Sequence, residues 1–131
     1  MAETLHPRYS PVTAPKPFSA YSPMVEIEAG RRSFHISGQV GVRLDGSLPD
    51  TGEEQVHQAW MNVLAVLEGA GLGPQHLVKV VGYITAPGLT AAFRSSRDRL
   101  LAGAEPASTL IGVPFLAHPD WQVEIEAVAA V

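Results

Sequence analysis

The sequence predicts an α+β domain in which two helices cover one face of a single mixed sheet. Three observations carry that expectation. Apolar runs of strand character stand near both ends and in the middle, two helical stripes separate them, and glycine or proline punctuates the joints. The order strands, helix, strand, helix, strands on 131 residues fills one two-layer domain.

The elements follow in chain order. Residues 1–20 hold Pro7, Pro11, Pro15 and Pro17, which favour extended backbone and remove donors, so an N-terminal arm is expected there and the folded domain over 21–131. Residues 25–28, 34–37 and 39–44 read as three short strands separated by Gly30 and Gly38 and closed by Gly46, with Gly38 marking a bulge or a close backbone approach. Thr51-Gly52-Glu53-Glu54 is a capping box, and the apolar stripe Val56, Trp60, Val63, Leu67 and Ala70 behind it predicts a helix that Gly71 stops. LVKVVGYIT, residues 77–85, is β-branched and aromatic and predicts a central strand. A second helix is expected over 89–102, with Leu89, Phe93 and Leu100 inward and Gly103 beyond its end. Residues 109–113 and 121–130 complete a six-stranded sheet. Its second face has no cover within the chain, and if apolar that face needs partner subunits.

Composition narrows the function. With 46% hydrophobic and 17% charged residues and no apolar run near the roughly 20 residues of a bilayer span, no membrane association is expected. The chain has no cysteine, which excludes disulfides and thiolate chemistry, and its N-terminus lacks a basic-then-apolar leader pattern, so the cytoplasm is the expected compartment. A net charge of -4 repels phosphate backbones, so no nucleic-acid partner is expected. His6, His35, His57, His76 and His118 show no metal-ligand spacing, so no metal is expected.

The pentapeptide VEIEA occurs twice, at 25–29 and 123–127. On a strand each copy puts Val and Ile on one face and both acids on the other. The first runs into a polar turn, Gly30-Arg31-Arg32-Ser33, where carboxylates reach water. The second continues as apolar strand, where a carboxylate must be paired, protonated or used. Glu124 and Glu126 are therefore either a solvated strand face or working acids. Ser37-Gly38-Gln39 is either a structural bulge or a set of backbone donors aimed at a ligand.

Taken in order, Tyr21-Ser22, Ser37-Gly38-Gln39, QVHQAWMNVLAVLEGAG from Gln55, LVKVVGYIT, Pro106-Ala107-Ser108-Thr109 and the closing VEIEAVA resemble the Rid/YjgF family of reactive-intermediate deaminases. The resemblance implies a bacterial chorismate-mutase-like fold and a homotrimer with small-molecule clefts between subunits. It also implies cofactor-free addition of water to an imine or enamine. It assigns the water-activating carboxylate to Glu124 and pocket contacts to Tyr21, Ser37, Gly38 and Leu110. Where the family's deaminases carry a carboxylate-binding arginine after Pro-Ala, this chain has Ser108. Loss of that charge-assisted pair costs on the order of 1.5 to 3 kcal/mol, so weak 2-iminopropanoate deaminase activity is expected. Arg97 aligns with a pocket asparagine of some relatives; it either replaces the missing charge or is a solvated helix arginine beside Asp98. A non-catalytic binding trimer and, less favoured, an endoribonuclease or translation inhibitor are the competing expectations.

Overall fold

The computed structural model describes residues 5–131; residues 1–4 of the arm lie outside it. Strands β1 (Arg8–Tyr9) and β2 (Met24–Val25) pair as a two-stranded antiparallel ribbon. The main sheet holds β3 (Ser33–Val40), β4 (Leu77–Ile84), β5 (Ala107–Gly112) and β6 (Val123–Ala130) in the order β3-β6-β4-β5. Helices α1 (Gly52–Gly69) and α2 (Thr90–Leu100) supply the second layer. Only β4 and β5 run parallel, and α2 is the crossover between them.

The expected six-stranded sheet is corrected to four strands plus the ribbon. Gly38 does not end a strand, because the register shift between Ile36 and Gln39 absorbs it as a bulge within β3. Beyond Val40 the chain leaves the sheet for a turn closed by Arg43 N donating to Ser47 O. The first VEIEA enters a strand only at Val25, since its pairing partner in the arm is two residues long. Residues 8–9 of the arm therefore form a strand of their own.

Helix α1 starts where Thr51 Oγ1 accepts from Glu54 N at 3.2 Å. Its stripe Val56, Trp60, Val63 and Leu67 is wholly buried against Val80, Ile84, Val123 and Ile125 of the sheet. Each such side chain contributes about 1.5 to 3 kcal/mol on burial. Ala70 instead forms the C-cap and is exposed. Phe93 of α2 packs on Trp60, ring centroids 5.1 Å apart, and the indole N–H donates to Phe93 O at 3.2 Å. Gly82 of β4 makes room for that ring: a Cβ there would stand 2.4 Å from Phe93 Cε2. Among the described residues no helix is long and apolar enough to cross a membrane.

The sheet's second face is open, as expected, but it is not an apolar surface. Lys79, His35 and Glu126 are exposed on it beside half-buried Val81 and Val128. Lys79 Nζ donates to Thr109 Oγ1 at 3.3 Å and Tyr83 Oη donates to Glu126.

Candidate functional site

Two clusters of the sequence-predicted residues form, one on each face of the sheet. The first stands on the open face around the second VEIEA. Val123, Ile125 and Ala127 are buried against the helices, which turns Glu124 and Glu126 to the opposite side. Glu124 is half-buried and Glu126 exposed. Tyr83 lies across from Glu124 on β4, and Val40 across from it on β3. The Glu124 carboxylate rests on the β3 bulge so closely that a Cβ on Gly38 would fall 1.9 Å from Oε2. Ser37, the other bulge residue, is exposed, and its carbonyl accepts from Gln39 Nε2 at 3.1 Å. Glycine thus serves close approach here.

Two side chains of α1 fix this cluster. Gln55 is buried, donates Nε2 to Asp120 O at 3.1 Å and accepts from Gln122 N at 3.0 Å, anchoring the chain two residues before Glu124. Asn62 Nδ2 donates to Val40 O at 2.9 Å and Val42 O at 2.8 Å, fixing the end of β3. The Tyr83 hydrogen bond to Glu126 raises the tyrosine above its ordinary value, with desolvation and the glutamate charges adding to the shift.

The second cluster surrounds a cavity of about 170 Å³ at the helix-side edge of β5, lined by Tyr21, Phe93, Arg94, Arg97, Ser108 and Leu110 together with Phe18 and Ser19 of the arm. Ser108 and Leu110 pair opposite Val80 and Gly82, which sets them on the helix face. Tyr21 is held over them because Ser22 N donates to Pro106 O at 3.2 Å and Phe18 N donates to Tyr21 Oη at 3.3 Å.

Arg97 is not a solvated helix arginine. It is 3% exposed, and its Nε donates to Asp98 Oδ1 at 3.0 Å. Nη2 lies 3.0 Å from the same oxygen but outside hydrogen-bond geometry, so it is buried without a hydrogen-bond partner among the described residues. Asp98 is half exposed, so its charge is screened by water while the guanidinium is not. Arg97 thus brings a desolvated positive charge to the cavity wall, and its covered Nη2 becomes a donor to an anion once a neighbouring wall side chain moves aside.

Within one chain these clusters do not meet. Glu124, Ser37 and Gly38 face one side of the sheet, while Tyr21, Arg97, Ser108 and Leu110 face the other. Sequence reasoning missed Gln55, Asn62, Tyr83 and Arg94. Only Arg94 carried a signal, since it stands three residues before Arg97 and therefore shares its helix face.

The model of the endoribonuclease L-PSP family matches residues 12–131. A RutC family protein of Aquifex aeolicus is 36% identical over 119 residues, which span 88% of this chain and 92% of the relative. A 2-iminobutanoate/2-iminopropanoate deaminase of Dermatophagoides farinae is 28% identical over 120 residues, 90% of this chain and 91% of the relative. The crystal structure of a Yersinia pestis protein of unknown function, YyfB of the conserved Rid family, superposes with a TM-score of 0.85 at 31% identity. That match covers 96% of this chain and 98% of the other.

Proposed function

The chain belongs to the endoribonuclease L-PSP family, the Rid/YjgF proteins, and from that membership we propose that it is a homotrimer binding a small carboxylate metabolite in clefts between subunits. In each cleft it hydrolyses a C=N bond. The observation that supports this most directly is the division of the candidate residues between two faces of one sheet. A complete site forms when the open face of one copy meets the β5 edge of the next, which places Glu124 and the Ser37-Gly38 bulge opposite Arg97, Ser108 and Tyr21. The demand for a partner comes from this division and not from an apolar face.

In this arrangement Arg97 takes the substrate carboxylate in place of the arginine that Ser108 replaces. The Ser108 hydroxyl adds a neutral hydrogen bond. Glu124 accepts a proton from water as the water oxygen attacks the imine carbon, and the proton then passes to the departing nitrogen. Water and imine yield a carbonyl and ammonia, with no redox step. The relative named a 2-iminobutanoate/2-iminopropanoate deaminase lends support to this reaction class. The RNA cleavage implied by the family's other label is disfavoured by the net charge of -4.

The test is Glu124→Gln, assayed for ammonia release from a 2-imino acid generated in situ by an amino-acid oxidase. Turnover should fall at least a hundredfold while binding of the matching 2-oxo acid changes little. Glu28→Gln, in the solvated VEIEA copy, should leave both unchanged. Binding without any wild-type turnover would make the protein a binding trimer instead.

A further inference from the structure

We propose that the site selects 2-imino acids with an extended apolar side chain, the carboxylate held at Arg97 and the tail lying in a groove beyond Arg94. This rests on the reading above that the small cavity takes the carboxylate. That cavity, about 170 Å³, accommodates a three-carbon 2-oxo acid with space to spare, and a side chain several methylenes longer extends beyond it.

Two larger cavities adjoin the small one, each sharing two wall residues with it. One of about 390 Å³ shares Ser19 and Tyr21 and holds the Arg8–Glu105 ion pair, which makes it a poor place for an apolar tail. The other, of about 650 Å³, shares Arg94 and Leu110. Its remaining walls include Ile84, Ala86, Pro87, Val113 and Pro114, and Arg94 is its single formal charge. Thr85 and Thr90 supply its neutral polar groups. The groove is pre-formed: Val113 N donates to Ile84 O at 2.9 Å, and Pro87 opens the single helical turn Pro87–Leu89 that leads into α2. Two guanidiniums at one end and aliphatic and proline walls at the other match an amphipathic acid, and each methylene buried there should tighten binding about three- to fourfold.

Calorimetric titration of the full chain with pyruvate, 2-oxobutanoate, 2-oxohexanoate and 2-oxooctanoate tests this, since the 2-oxo acids are unreactive mimics of the imines. Affinity should climb along the series by about threefold or more per methylene, and octanamide, which lacks the carboxylate, should bind poorly. Val113→Asp and, as an exposed second site, Pro114→Asp should each weaken 2-oxooctanoate at least tenfold by placing a carboxylate against the tail. A flat or falling series, or a length dependence that survives both substitutions, overturns the tail assignment, including the case where a partner subunit covers the groove. The carboxylate reading fails separately. In that event Arg97→Ala leaves all four affinities unchanged.

Discussion

Gly38→Ala probes the contact between the β3 bulge and the carboxylate assigned to catalysis. A Cβ at residue 38 would stand 1.9 Å from Glu124 Oε2, 2.6 Å from Cδ and 2.8 Å from Cγ. To restore ordinary van der Waals contact near 3.4 Å, Oε2 must retreat by about 1.5 Å. All three nearest atoms belong to one flexible side chain on a half-exposed site, so the strain is relieved by rotating Glu124 at a cost of about 0.5 to 1.5 kcal/mol. Replacing glycine in a strand returns about 0.4 to 1 kcal/mol through the unfolded chain. Net stability should therefore shift by less than about 1 kcal/mol, or under about 4 °C in Tm. A misplacement of about 1 Å costs on the order of a hundredfold in rate, so imine hydrolysis should fall by about that factor. The assay measures ammonia release beside thermal melting, for Gly38→Ala alone and in the Glu124→Gln background. In the double variant the glycine substitution should add nothing further. Full activity in Gly38→Ala, or an additive loss in the double variant, would refute the reasoning.

Three other outcomes are expected. Ser108→Arg crowds a third guanidinium into the small cavity beside Arg94 and Arg97, so 2-oxo acid affinity should fall or stay level; a tenfold gain would mean that Arg97 does not supply the anchor. Ionisation of Tyr83 is raised by its hydrogen bond to Glu126, so that bond is present below the ordinary tyrosine value near 10 and is lost as pH rises through the elevated folded value. Following phenolate absorbance, Glu126→Gln should move one tyrosine back toward the ordinary range, and an unchanged titration curve would count against the pairing. Trp60→Ala removes a wholly buried ring and its hydrogen bond to Phe93 O, which should cost about 3 to 5 kcal/mol in denaturant unfolding.

The helical layer was legible because its period is fixed by geometry. Val56, Trp60, Val63 and Leu67 fall on one side of any helix, whatever surrounds it. Strand boundaries were less legible because pairing is non-local. The two VEIEA copies have the same alternation, yet residues 123–127 lie between β3 and β4 while residues 25–29 meet a two-residue partner. Gly38 was read as a bulge or a close backbone approach, and both hold, but the segments on either side of it were counted as two strands, since a bulge and a strand end look alike until the register on the facing strand is known. Glu124 was separable from Glu28 by its apolar flanks. The burial of Arg97 was not legible, because RSSRDR reads as a solvated polar face, whereas Arg97 is 3% exposed and shares a cavity wall with Tyr21 of the segment following the arm and Ser108 and Leu110 of β5. Nor could the sequence disclose that Glu124 and Ser108 face opposite sides of the sheet, which depends on the β4–β5 and β4–β6 registers.

The central claim, a site divided between two copies, is tested most directly by subunit complementation. Glu124→Gln and Arg97→Ala chains, each inactive alone, are unfolded together in equal amounts and refolded. If Glu124 of one copy works with Arg97 of the next, random trimers place both native residues at about a quarter of the clefts, and about a quarter of wild-type activity should return. If both residues act within a single chain, no cleft is intact and the mixture stays as inactive as its parents, which would contradict the account.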